Sequence, residues 1–407
     1  MSVLVEDDVL ARFALAPGFQ CAATACGLKK SGALDLALVW SERHCAAAGL
    51  FTTNRVKAAP VVLDRQTLPG SAARIRAVVA NAGCANAVTG ERGLADARRM
   101  ASLAAEAVEA RPDEVLVLST GVIGVHLDMD KLGYGIAALR APGALRAAAD
   151  AARAILTTDT RPKVATATAT IAGQTVRISG FAKGAGMIHP NLATMLAVLT
   201  TDALIDPERL DRALRRAAAA SFNRISVDGD MSTNDTVLAL ASGVSAARVD
   251  DAGEEAFTGA LTEACAALAR QIARDGEGAT RLVELRITGA ETGRQAHRVG
   301  DAIACSPLVK TAIHGNDPNW GRVLAAAGYS GEEIDPGAVG LWFGEGDDVQ
   351  LLDRGRPLAF DRAGASALLA KDPAVVHLDL GLGAAAATLW TCDLSAEYVR
   401  VNAEYTT

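Results

Sequence analysis

A basic excess is missing from this 407-residue chain: 40 lysines and arginines stand against 47 aspartates and glutamates, a net charge of -7. Without clustered positive charge there is little counterion release to drive binding to a phosphate backbone, so no nucleic-acid partner is expected. No apolar run approaches the roughly 18 residues that a membrane span needs. The opening Met1-Ser2-Val3-Leu4-Val5-Glu6-Asp7-Asp8 is acidic where a secretory leader would be basic. A cytoplasmic protein without a membrane partner is expected. The seven cysteines (Cys21, Cys26, Cys45, Cys84, Cys265, Cys305, Cys392) form no C-x-x-C pair and read as reduced thiols. The six histidines are dispersed without H-E-x-x-H or cysteine–histidine spacing, so no metal is expected. Aromatics make up only 4% of the chain, which leaves packing to small aliphatic side chains.

The chain does have enough apolar residues, 50% of the total, to bury the core of a two-lobed enzyme. Met100, Leu103, Ala104, Ala107 and Val108 follow helical spacing. Val115 to Leu118 reads as a buried strand ending in a loop, Ser119-Thr120-Gly121, that presents backbone donors. Thr168–Ile171 and Val176–Ile178 flank Ala172-Gly173-Gln174 in the form of a hairpin, which delivers Lys183 from a strand end. Asp206-Pro207-Glu208 supplies a cap, a proline and an acidic first turn for a helix through Leu210, Leu214 and Ala217. Phe257 to Ile272 reads as another helix, stopped at Asp275-Gly276-Glu277-Gly278. Beyond it, Val283–Thr288 alternates with period two. Val376–Leu380 and Ala387–Cys392 are strand-like, and Ala363–Leu369 is helical. The mixture is α and β without regular βαβ alternation. The shift near residue 280 predicts two domains, 1–280 and 281–407.

The run from Phe181 to Leu196 sets Thr194 after a glycine-rich, proline-stopped turn. A threonine hydroxyl needs a neighbouring base to act as a nucleophile, and its own α-amine can be that base if the chain is cut before it. By spacing alone, Lys183-Gly184-Ala185-Gly186 reads as a plain turn more readily than as an anion cradle, because it lacks the P-loop and dinucleotide patterns. Lys183 and Glu277 would by default be solvated loop charges. Asp228 to Asp235 lacks the spacing of an EF-hand and reads as turns with buried hydrogen bonds.

Taken together, the ordered blocks resemble the ornithine acetyltransferase family of arginine biosynthesis, also called glutamate N-acetyltransferase. They include Ala48–Asn54, Asn81–Ala87, Ser119–Gly124, Thr157–Thr160, Lys183–Leu196, Ser221–Arg224, Val227–Asp230, Ser232–Asp235, Asp275–Thr280, His314–Arg322 and Val401–Tyr405. Leu192 stands where the family frequently has methionine, a volume-conserving change.

The resemblance implies a layered αββα sandwich like that of N-terminal-nucleophile hydrolases, with a smaller C-terminal α/β lobe completing the site. It implies self-cleavage between Ala193 and Thr194, giving chains 1–193 and 194–407 that pair into an α2β2 assembly. Thr194 would then carry acetyl from N-acetylornithine to glutamate by double displacement, with no cofactor. Thr120 and Gly121 would form the oxyanion hole; Thr157, Lys183, Thr194, Glu277, Asn402 and Thr407 would bind substrate. Some family members also use acetyl-CoA. For Asn402 and Thr407 to act, the tail must fold back over the site. The His314 block is assigned no catalytic role. Two other readings stay open: an amidohydrolase or aminopeptidase of the same fold, and an uncleaved amino-acid-binding protein.

Overall fold

The computed structural model describes residues 9–141, 144–189 and 195–404. Ala193, Thr194 and Thr407 lie outside these residues. Two sheets organise the chain. The first contains β1 (Gln20–Thr24), β2 (Leu36–Phe51), β3 (Ile75–Cys84), β4 (Val115–Val122), β5 (Lys163–Ile171), β6 (Gln174–Lys183), β7 (Leu196–Thr201) and β8 (Thr236–Ala241). Its order is β4-β3-β2-β8-β7-β6-β5, with β1 also paired to β2.

The long β2 folds this sheet into two layers. Its first part, Leu36–Trp40, pairs with β3 on one side and β1 on the other, whereas Ala46–Phe51 pairs with β8. One core is enclosed between the layers: Val39, Val78, Leu116 and Leu118 meet Phe181, Leu196, Val198 and Leu238. The alternate residues face outward. Leu38, Val79 and Val117 lie under helices Gly90–Ala107 and Met129–Arg140. Ala197, Leu199 and Val237 lie under helices Pro207–Ala219 and Glu254–Arg274. The result is an αββα sandwich, the fold that the family resemblance implies.

Local chemistry explains several elements. Asp206 caps its helix by accepting from the Arg209 N–H at 2.8 Å. The β5–β6 hairpin turns at Ala172 and Gly173, both with positive φ, as a two-residue turn matching strand twist requires. β5 is an edge strand, and Gln271 covers it: the side-chain amide donates to the Val164 carbonyl at 3.0 Å and accepts from its N–H at 3.1 Å. Among the described residues, parallel pairings within this sheet occur at β3–β4 and β7–β8, each bridged by one α-helix and a short 3-10 turn. One expectation is corrected. Ser119, Thr120 and Gly121 are not a loop but the end of β4, because Gly83 and Gly121 let the two backbones stay paired.

The second sheet runs β12-β11-β10-β13-β9-β14, built from β9 (Leu282–Ala290), β10 (Gly340–Phe343), β11 (Val349–Asp353), β12 (Arg356–Pro357), β13 (Ala374–Asp379) and β14 (Ala385–Cys392). Its own core gathers Leu285, Ile287, Leu341, Leu378 and Leu389 with helices Gly293–Ala304, Pro307–His314, Trp320–Gly328 and Arg362–Leu369. The C-terminal end of β14 crosses into the first unit, where Trp390 and Cys392 join the core under Glu254–Arg274. His314 sits at this junction, with Nδ1 2.7 Å from Asp393 Oδ2, consistent with a structural role. Among the described residues, no helix is long and apolar enough to cross a membrane.

Phe181 is 1% exposed between the two layers of the first sheet. Phe181→Ala should therefore lower unfolding free energy by about 3–5 kcal/mol, read as a reduced midpoint in urea denaturation.

Candidate active site

Every described residue that the sequence pointed to as catalytic or substrate-binding lines one cavity of about 100 Å³: Thr120, Gly121, Thr157, Lys183, Glu277 and Asn402. They arrive from separate parts of the fold. Thr120 and Gly121 end β4, Lys183 ends β6, and Glu277 follows helix Glu254–Arg274. Asn402 comes from the last helix, Ala396–Glu404.

Two glycines allow the close approaches. At Gly121, φ is +129°, and an added Cβ would lie 2.4 Å from the Gly83 carbonyl carbon. At Gly186 a Cβ would lie 2.4 Å from the Glu277 carboxylate, so only glycine lets that group lie across the turn. Glu277 is further fixed by its N–H, which donates to the Ala185 carbonyl at 2.8 Å. Its Oε2 accepts from Asn402 Nδ2 at 2.9 Å. The tail does fold back: Ser395 Oγ donates to the Gly278 carbonyl at 2.6 Å, and Gly278 leaves room for the backbone of Tyr398.

Lys183 is not a solvated loop charge. It is 4% exposed, and its Nζ donates to Thr157 Oγ1 at 2.9 Å and lies 3.7 Å from Asp159 Oδ2. Behind it is a charge network that sequence reasoning missed. Lys163, fully buried, bridges Asp159 and Asp275, with Nζ 2.5 Å from Asp275 Oδ2. Asp159 also accepts from the Gly184 N–H at 2.6 Å and the Thr157 N–H at 3.0 Å. Burial pushes the Asp159 pKa up, but the ammonium groups of Lys163 and Lys183, with these hydrogen bonds, outweigh it and hold the carboxylate well below its usual range. The network's carboxylates were visible only as members of ordered blocks, Asp159 in Thr157–Thr160 and Asp275 in Asp275–Thr280; Lys163 lies in a strand that no block covered.

The polar stretch 228–235 holds the chain on both sides of 190–194. Asp228 accepts from the N–H groups of Met187 at 2.6 Å and Ile188 at 2.9 Å. Asp235 accepts from the Met195 N–H at 3.0 Å. Burial raises the Asp235 pKa well above the ordinary carboxylate value, with the Met195 N–H and the Lys183 charge opposing. Asn234 ties the stretch to the oxyanion candidates, donating to the carbonyls of Ser119 at 2.8 Å and Ala85 at 2.7 Å. These contacts bear out turns and buried hydrogen bonds there.

Lys163→Met leaves two buried carboxylates without their shared cation and should cost about 3–5 kcal/mol of stability near neutral pH. The pH dependence should also change. In the native protein the depressed Asp159 pKa contributes stability above the unfolded value of about 3.9, and this is lost as pH falls through the folded value. Removing Lys163 raises the folded pKa, so urea midpoints of the variant should fall less steeply with acidification below about pH 4 than those of the native protein.

The model of the ArgJ family matches residues 20–407. The arginine biosynthesis bifunctional protein ArgJ of Symbiobacterium thermophilum is 51% identical over 396 residues, covering 96% of this chain and 97% of that protein. Its counterpart in Geobacter sulfurreducens is 48% identical over 395 residues, covering 96% and 99%. Among solved structures, the ArgJ protein of Bacillus halodurans is 42% identical over 51% of this chain and 98% of its own, with a TM-score of 0.49. With a match to the family model that spans nearly the whole sequence and relatives near half identity, this chain belongs to the ArgJ family.

Proposed function

We propose that the protein is a self-cleaving ornithine acetyltransferase in which residues 1–280 form the catalytic unit and 281–407 complete its site. The observation that carries this reading is the convergence of Thr120, Gly121, Thr157, Lys183, Glu277 and Asn402 on one cavity. β7 supports it, because it begins two residues after Thr194 and pairs Leu196 with Lys183 of that cavity.

In maturation, the Thr194 hydroxyl attacks the Ala193 carbonyl and the peptide becomes an ester. Water then releases chain 1–193 and frees the Thr194 α-amine, whose ordinary pKa of about 7.7–8.0 leaves enough neutral amine to accept a proton. In turnover, Thr194 takes acetyl from N-acetylornithine and ornithine leaves; the amine of glutamate then attacks the acetyl ester and departs as N-acetylglutamate. Each half passes through an oxyanion, which the Thr120 hydroxyl and the Gly121 N–H stabilise. Lys183 keeps donor capacity for a substrate carboxylate, and Glu277 keeps acceptor capacity for an ammonium. The two chains assemble as α2β2. Relatives bear a bifunctional name, which supports a second activity, and acetyl-CoA is the acetyl donor we propose for it.

Intact mass under denaturing conditions should show two chains in the native protein, the second beginning at Thr194, and one uncut chain in Thr194→Ala. One full-length chain in both samples would overturn the nucleophile assignment. Thr120→Ala should lower kcat about 10²–10³-fold with little change in KM; a rise in KM alone would remove Thr120 from the oxyanion hole. Acetyl should pass from N-acetylornithine to glutamate, whereas release of free acetate without glutamate would mark a hydrolase. Acetyl-CoA with glutamate alone tests the second activity, with N-acetylglutamate the expected product.

A further inference from the structure

Outside the cavity, His189 meets the helix Gly293–Ala304 of the second unit. Its Nδ1 lies 3.3 Å from Cys305 Sγ and 4.0 Å from Asp301 Oδ1, and Cys305 Sγ lies 3.7 Å from the same Asp301 oxygen. These three donor atoms form a compact triangle of sulfur, nitrogen and oxygen, each on a partly buried residue. Around tetrahedral Zn²⁺, with Zn–S near 2.3 Å and Zn–N or Zn–O near 2.0–2.2 Å, neighbouring ligands stand about 3.3–3.7 Å apart. Two edges of the triangle fall in that range. The third is slightly long, and it involves a carboxylate that can turn.

The backbone already sets this geometry. Asp301 and Cys305 are four residues apart and share a helix face with His297, whose Nε2 lies 2.8 Å from the Asn223 carbonyl oxygen and fixes that face against the first unit. On the other side, the Ile188 carbonyl accepts from the Val227 N–H at 2.8 Å and from Ser226 Oγ at 3.2 Å, which orients the next residue, His189. Ser226 Oγ is itself 3.4 Å from Cys305 Sγ. No spacing motif could reveal the trio, because one member lies more than a hundred residues before the others. A Cys–His–Asp nucleophile is a poorer fit: both neighbours approach the same imidazole nitrogen, so the ring cannot relay a proton between them.

We propose that His189, Asp301 and Cys305 bind a thiophilic divalent cation of the Zn²⁺ class, with the fourth position taken by water or Ser226. His189 precedes the proposed cut and the other two ligands follow it, so the ion ties the two chains together. That consequence rests on the proposed self-cleavage, whereas the site itself does not.

The test is titration of chelator-treated native protein with Co²⁺, then displacement by Zn²⁺. Co²⁺ should saturate at one equivalent with a thiolate-to-metal charge-transfer band and tetrahedral ligand-field bands, and Zn²⁺ should abolish both. Cys305→Ser should lose the thiolate band, and His189→Ala and Asp301→Asn should each weaken binding at least tenfold, a change that even outer-shell substitutions can cause. Circular dichroism checks that each variant is folded. Thr194→Ala should bind Co²⁺ as the native protein does, which separates this result from any failure of cleavage. Absence of a thiolate band in the native protein, or its survival in Cys305→Ser, would overturn the site.

Discussion

Lys163 is the residue on which the site's geometry depends. Its ammonium, fully buried, is balanced by Asp159 and Asp275, and these two carboxylates hold different segments of the site. Asp159 fixes the N–H groups of Thr157 and Gly184 and lies beside Lys183. Asp275 accepts from the Thr160 N–H at 3.0 Å and stands two residues before Glu277. Three groups lining the cavity are thereby referred to one ion cluster. Burying such a cluster costs desolvation, and it is tolerated because each charge has partners of opposite sign and hydrogen bonds besides. Its value to the protein is positional: Lys183 keeps a defined place in a low-dielectric wall.

The folded sheet does the rest. Because β2 passes through both layers, the ends of β4 and β6 open on the same side of the sandwich. Asp228 and Asp235, seven residues apart on one connection, hold Met187, Ile188 and Met195 from that side. The second unit contributes through the last helix, where Asn402 reaches Glu277. Residues scattered from 120 to 402 thus become one surface.

Much of the local structure was legible. The Asp206 cap, the Ala172-Gly173 turn and the long helix ending before Asp275 follow from short-range rules, and the structure contains all three. β7 and β8 were harder to read: Leu196–Thr201 and Thr236–Ala241 are buried on both faces, which erases the period-two signal. Ser119 to Gly121 misled for a related reason, since a glycine that ends a loop and one that permits close strand pairing look alike in sequence.

By itself, the sequence determined the mixed α/β class, the absence of a basic field and the ordered motif blocks that mark the family. These depend on residue type and short spacing, which the linear chain displays directly. Only the tertiary structure decided that Lys183 is buried against Asp159, that Lys163 supplies the balancing charge, and that His189 faces Cys305. Burial and long-range electrostatic pairing depend on which distant segments share a space, and no local pattern encodes that.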